Sequence, residues 1–295
     1  MRGADEPHEA AERLLGTAVS RVGPLGGSLF AVTTADGEQL VAKRAPGPNA
    51  HDAEAAGLRW LASSGDVPLP EVRGHDSDWL LIERIGGGRP SATAARAFGA
   101  GLAALHLRGA PAHGAPPPGG PVEAWIGLAR MRNETEADWP TFYAAHRIEP
   151  YVRQARDRGL FDTGQAAVFD DVCEHLPAIA GPAEPPARLH GDAWCGNIHW
   201  AEATDGRVWL LDPAAHGGHR ETDLAMLRLF GAPHEAEILA AYAAAAEAAG
   251  APLADGWRDR VGLHQLFPLL VHTVLFGGAY AGRALAAARS ALALR

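Results

Sequence analysis

Apolar positions recur along this chain in two rhythms, and the switch between them divides it. Alternation in Ser28–Thr34 and Glu38–Arg44, joined by Ala35-Asp36-Gly37, predicts a β-hairpin, because Asp-Gly readily adopts the positive φ of a tight turn. Pro70–Gly74 and Asp78–Ile85 predict two more strands, the second rich in β-forming residues. Helical spacing surrounds them. Glu6–Ser20 carries apolar Leu14, Leu15 and Val19, and a second helix, which Asn49 or Asp52 can cap, runs to Ala62. Gly86-Gly87-Gly88 then punctuates the chain as a hinge.

Beyond those glycines the rhythm is helical. Ser91–Leu107 predicts a capped helix and Gly109–Pro121 an irregular surface loop; Arg130–His146, Glu149–Arg158 and Thr163–Leu176 predict three further helices. Two short β-like runs, Ala187–Asp192 and Arg207–Asp212, interrupt before Glu221–Leu294 returns to helix. The expected order is a small strand-rich lobe over residues 1–86 and a larger helical lobe over 87–295.

Composition narrows the function. The 295 residues are 47% hydrophobic and 21% charged, which is ordinary globular usage. Lys and Arg number 26 against 35 Asp and Glu, a formal net charge of −9. That sign is opposite to what a phosphate-backbone binder or a polybasic membrane patch needs, so neither nucleic acid nor membrane is expected as a partner. Two cysteines, Cys173 and Cys195, are too few for a disulfide scaffold and point to a reducing cytoplasm. The acidic start MRGADEPHEAAERLL has no apolar core of a secretory signal. The most apolar stretch, Leu263–Gly282, is broken by His264, Gln265, Pro268 and His272 and suits a buried bundle helix better than a membrane span.

The chemistry concentrates in Leu189-His190-Gly191-Asp192-Ala193-Trp194-Cys195-Gly196-Asn197 and in Asp212 of LLDPA. Phosphoryl transfer assisted by Mg²⁺ needs a carboxylate to orient and deprotonate the attacking hydroxyl, and hard oxygen ligands for the ion. Asp192 fits the first role; Asn197 and Asp212 fit the second. Asp near Gly and Asn is also a common turn composition, so the short motif alone does not decide. Lys43 at the end of a strand, with Glu54 in the following helix, has the strand-to-helix placement by which kinases hold a phosphate-clasping lysine. In isolation such a pair is more often a surface ion pair. Gly26, Gly27 and Ser28 could offer backbone amides to phosphate or form a plain turn. The set in order (glycine loop, lysine, glutamate, hinge, Asp, Asn, Asp) carries more weight than any member.

LHGDAWCGN at 189–197 and DPAAHGGHRETDLAMLRLFG at 212–231 resemble the fructosamine (ketosamine) 3-kinases, within the aminoglycoside phosphotransferase and protein-kinase-like superfamily. EAAGLRWL, WPTFYAAHRIEPYVRQA and LFPLLVHTVLFGGAY extend the resemblance over nearly the whole chain. It implies a two-lobed α+β kinase-like fold using ATP and Mg²⁺. Asp192 would be the base, Asn197 and Asp212 the metal ligands, Lys43 the contact to the α and β phosphates, and Glu54 its partner. The acceptor would be a ketosamine on a small amine or a protein lysine, and phosphorylation at O3 would promote loss of the sugar. Backbone groups at Glu83 and Ile85 would read adenine. Trp194 would stack on the sugar or brace the loop, and His219, at the start of a helix through Arg220, Glu221 and Asp223, is a second candidate acceptor contact. His190 is expected to scaffold by side-chain hydrogen bonds, and Asp223 to anchor the catalytic loop. The chain departs from the family in its glycine loop, GGSLFAV, and in Ala215-His216-Gly217 after DPA. The HxxH spacing of His216 and His219 lacks a third zinc ligand. The rival expectations are another small-molecule kinase of this fold, with an aminoglycoside or choline-like acceptor, and a nucleotide-binding pseudokinase.

Overall fold

A computed structural model describes residues 6–201 and 207–295, so the first five residues of the stretch MRGADEPHEAAERLL lie outside the described residues. Helix α1 (Pro7–Leu15) stops at Gly16, which takes the left-handed conformation, and strand β1 (Val19–Gly26) follows. With β2 (Leu29–Thr34), β3 (Gln39–Arg44), helix α2 (Ala50–Ala62), β4 (Val72–His75) and β5 (Trp79–Glu83) it builds a five-stranded antiparallel sheet in the order β1-β2-β3-β5-β4. The β2–β3 hairpin is the one the sequence predicts. The first helix, expected to reach Ser20, ends earlier, and a turn at Gly26-Gly27-Ser28 joins the unexpected strand β1 to β2. β1 is an edge strand buried only at Val19, so it shows no alternation, and an edge tolerates Pro24.

Helix α3 (Ala92–Leu107) is capped by Ser91, whose hydroxyl oxygen accepts from the Ala94 amide at 3.2 Å. The helix expected over Arg130–His146 exists only in its second half. Its beginning belongs to a hairpin of β6 (Glu123–Ile126) and β7 (Ala129–Arg132), in which Ala124, Ile126, Ala129 and Met131 are buried while their neighbours face outward. Asp138 then caps α4 (Trp139–Tyr143), which runs through a π-helical turn at Ala144–Ile148 into α5 (Glu149–Asp157), and α6 (Thr163–Ile179) follows. Two ribbons come next: β8 (Ala187–Leu189) pairs with β11 (His216–Gly218), and β9 (Ile198–Trp200) with β10 (Val208–Leu210). Helices α7 (Glu221–Leu229), α8 (Glu235–Ala248), α9 (Val261–His264), α10 (Leu266–Phe276) and α11 (Ala279–Leu292) complete the chain.

Three apolar clusters hold these elements. Ala10 and Ala11 of α1 cover Val32, Leu40, Trp79 and Leu81 on one face of the sheet. On the other face Leu58 and Leu61 of α2 pack with Leu80 and Ile82, and the same core continues through Phe98 and Leu102 of α3 to Ile198, Leu210 and Tyr242. Each such buried side chain stabilises the fold by about 1.5–3 kcal/mol, so sheet and helices are joined by packing as well as by the peptide at Gly86. The third cluster, with Phe142, Tyr151, Phe169, Phe267 and Ala288, lies wholly within the helical part. Between β5 and α3 the chain passes against β9: Gly88 donates its amide to the Trp200 carbonyl at 2.5 Å, and His199 Nε2 donates to the Gly86 carbonyl at 3.1 Å. Among the described residues no helix is long and apolar enough to cross a membrane.

Candidate active site

The loop after β8 is held from below by one carboxylate. Asp223, at the start of α7 and fully buried, accepts the His190 amide at 2.8 Å and the Gly191 amide at 2.9 Å, and His106 Nε2 lies 3.2 Å from it. Burial pushes the Asp223 carboxyl up, but His106 and those amides outweigh it and hold the group below the usual carboxylate range. His190 donates Nε2 to the Leu211 carbonyl at 2.9 Å and accepts the Asp192 amide on Nδ1 at 3.3 Å, so it scaffolds the loop. Gly191 has φ +81°, and a Cβ there would lie 2.1 Å from the Ala214 carbonyl oxygen; no other residue fits.

This frame turns Asp192 toward Asn197. The Asn197 amide nitrogen donates to the Asp192 carbonyl and to its Oδ2, both at 2.9 Å, and Asn197 Oδ1 has no hydrogen-bond partner among the described residues. Burial pushes Asp192 up to about 7; the Asn197 hydrogen bond opposes this and the Asp212 and Asp223 charges add to it. Asp212, just after β10, sits at φ +52°, a left-handed conformation that non-glycine residues keep mainly where surrounding structure imposes it.

From the sheet side, Lys43 on β3 reaches both acids. Its Nζ lies 2.5 Å from Glu54 Oε1 on α2 and 2.7 Å from Asp212 Oδ1. Burial pulls the ammonium down, but the two carboxylates hold it above its ordinary range. Burial pushes Glu54 up while Lys43 pulls it back. Gly26, Gly27 and Ser28, at the β1–β2 turn, line the same cleft as Lys43, Glu54, Asp192, Trp194, Asn197 and Asp212; it encloses about 590 Å³. A more open groove of about 690 Å³, between α2 and residues 118–121, holds none of these side chains.

Three further candidates lie apart from this cavity. Glu83 and Ile85 stand at the end of β5, outside the lining, and the Ile85 amide has no hydrogen-bond partner among the described residues. His219 is corrected as an acceptor contact. It is 3% exposed and packed between Trp139 (5.2 Å between ring centres) and His264 (4.9 Å), because the start of α7 is buried in the helical part; burial drives its imidazole well below the usual range. Glu221 and His264 bring their ligand atoms within 4.8 Å of His219, a donor set that the HxxH spacing does not reveal. Arg260, however, donates Nε and Nη2 to the two Glu221 oxygens at 3.0 and 2.6 Å, so the cluster is an ion-paired core network. His216 is turned away, its Nδ1 on the Ala214 carbonyl at 2.9 Å.

The β6–β7 hairpin escaped sequence reasoning although it walls the cleft. Trp125 crosses from it to the sheet side, donating Nε1 to the Pro48 carbonyl at 2.9 Å and lying against Gly47. The signal was present in alternating residues on either side of Gly127-Leu128. Another part of the lining, Pro268, Val271, His272, Leu275 and Phe276 of α10, carries no local motif at all.

Residues 37–293 match the family model described as fructosamine kinase. An Enterococcus faecium protein named as a ketoamine kinase is 32% identical over 232 residues, 78% of each chain. A solved structure from Thermobifida fusca, described as a fructosamine-3-kinase, is 43% identical with a TM-score of 0.88 over 97% of this chain and 98% of that one. An aminoglycoside phosphotransferase shares the fold at 20% identity, with a TM-score of 0.62 over 96% and 98% of the two chains.

Proposed function

Because the chain belongs to the fructosamine kinase family, we propose that it transfers the γ-phosphoryl group of ATP to a sugar hydroxyl of a ketosamine, a step that promotes loss of the sugar from the amine. The observation that carries this is the convergence in one cleft of Asp192, Asn197, Asp212 and the Lys43–Glu54 pair. Residues 1–86 serve as the nucleotide lobe and 87–295 as the acceptor lobe. The acidic chain with its two unpaired cysteines suits the cytoplasm, and the acceptor is a glycated small amine or protein lysine.

The residues fit both the nucleotide and a divalent ion. The unpartnered Ile85 amide and the Glu83 backbone suit an adenine edge, and the Gly26-Gly27-Ser28 turn brings backbone close to where phosphates would pass. Asn197 Oδ1, freed by the commitment of its nitrogen, and the half-exposed Asp212 carboxylate are hard oxygen donors of the kind Mg²⁺ prefers. A bound Mg²⁺ would neutralise charge on the phosphates.

Lys43, steadied by Glu54, binds the α and β phosphates and gives up Asp212 as it does so. Asp192 accepts the hydroxyl proton on its carboxylate while the hydroxyl oxygen bonds to phosphorus, and ADP leaves with the electrons of the broken bond. Asn197 keeps Asp192 aimed. Positioning and charge neutralisation supply most of the acceleration, since the transferring group has a loose transition state. ADP release with Mg²⁺ on a ketosamine, a ribulosamine and an aminoglycoside tests the assignment. Turnover of the aminoglycoside alone would move the chain to a different acceptor class, and nucleotide binding without turnover would make it a pseudokinase.

A further inference from the structure

The cleft continues past the catalytic loop into an aromatic wall. Trp194 meets Phe230 edge-on at 5.7 Å, Phe230 meets His272 at 5.3 Å, and His272 meets Phe276 at 5.5 Å and Tyr280 at 4.9 Å. His272 is oriented from behind, its Nδ1 donating to the Pro268 carbonyl at 2.7 Å. Exposure rises outward from the base: Phe276 is 66% exposed, and Leu128, at the tip of the β6–β7 hairpin and lining the same cavity, is 69% exposed. Large apolar side chains left this open beside a reactive centre are uncommon on a soluble surface and mark a contact.

Charge is as informative as shape. Among the described residues, the only Asp, Glu, Lys or Arg in the cavity lining apart from Lys43, Glu54, Asp192 and Asp212 is Arg44. The cation nearest the wall is Arg283, stacked 5.5 Å from the Phe230 ring centre and 5.8 Å from that of Tyr280. Among the described residues no carboxylate other than Glu54, Asp192 and Asp212 lines the cavity, and Arg283 beside the wall repels a second ammonium. Since the reacting hydroxyl must sit at Asp192, the amine end of the acceptor extends toward the open rim.

Resting on the ketosamine kinase function proposed above, we infer that Phe230, His272, Phe276, Tyr280 and Leu128 form a subsite for the amine side of the acceptor. It selects ketosamines built on a monoamine with an apolar or aromatic substituent over those built on glycine or on a diamine. The aromatic faces receive the substituent, Leu128 closes over it, and Arg283 excludes additional positive charge.

The test measures kcat/KM by ADP release for the fructose-type ketosamines of phenylalanine, glycine and cadaverine. The enzymes are the wild type and the double variant Phe276→Ala, Leu128→Ala. Both substituted side chains are largely exposed, and a ratio of two acceptors within one preparation is independent of how much enzyme is active. The phenylalanine adduct should exceed the glycine adduct by roughly tenfold, the worth of burying part of one aromatic ring, and the ratio should fall below about threefold in the double variant. A wild-type enzyme indifferent to the substituent, or favouring cadaverine, overturns the subsite, as does a preference that survives in the double variant. Turnover of none of the three defeats the kinase function itself, an outcome distinct from both.

Discussion

Asn197 donates its amide nitrogen to the Asp192 carboxylate at 2.9 Å, and one side chain thereby aims the proposed base while keeping its own oxygen free. Asn197→Ala removes both services. The Mg²⁺ concentration giving half-maximal rate should rise roughly 10- to 100-fold, and kcat at saturating Mg²⁺ should stay depressed. An Mg²⁺ titration of ADP release separates the two effects, and an unchanged Mg²⁺ requirement would remove Asn197 from the ion site.

Lys43 is largely enclosed between Glu54 and Asp212, so its loss leaves a mostly buried acid without its cation. Lys43→Met should lower kcat/KM for ATP by about 10²-fold and also lower stability. Adding Glu54→Gln should restore about 1–3 kcal/mol of that stability with no recovery of activity, because the unpaired acid is gone but the phosphate contact is not replaced. Thermal melts beside ATP kinetics decide this; a double variant less stable than the single would contradict the pairing.

Gly191 combines φ +81° with a carbonyl where a Cβ would stand. Gly191→Ala should destabilise the protein by at least about 2 kcal/mol and displace Asp192, so that activity falls even well below the melting temperature. Wild-type melting and turnover would show that the loop backbone is not constrained.

Acid should unfold this protein early. His216 is lowered to about 3 by burial and by the Arg147 charge, and His51 to about 4 by burial and by Lys43. With unfolded values near 6.5, the unfolded chain binds more protons below that pH, so their contribution is complete above it and is lost on acidification toward 4 and 3. Burial pushes Glu221 up, but hydrogen bonds from His264 and Arg260 hold it at about 2, so its contribution is lost between about 4.5 and 2. Stability measured by denaturant titration should fall by about 2–3 kcal/mol per pH unit between pH 6 and 4. A flat profile there would mean that the buried imidazoles are already charged or already wet.

The proposed catalytic set was legible because each member sits in a short local motif at a strand or helix end: Lys43 in an alternating strand, Asp192 and Asn197 in one loop, Asp212 at the end of an apolar run. The hairpin at Ala35–Gly37 and the cap at Ser91 were legible for the same reason. What failed depended on tertiary packing. β1 at the sheet edge has no buried face to impose alternation, and polar Arg130–Glu136 reads as helix until Met131 is seen buried against the cleft wall. His219 has the sequence position of a loop contact, but α7 carries it into the core. The aromatic wall joins Trp194 to residues of α10 and α11 far along the chain, a relation no spacing rule encodes.

Replacement of one atom bears most directly on the proposed chemistry. Asp192→Asn keeps the size and the contact to Asn197 but cannot take the hydroxyl proton. Turnover of a ketosamine should fall at least about 10²-fold while ATP affinity, read by calorimetry on the same preparation, stays within roughly threefold. A variant that turns over near the wild-type rate would contradict the role of Asp192.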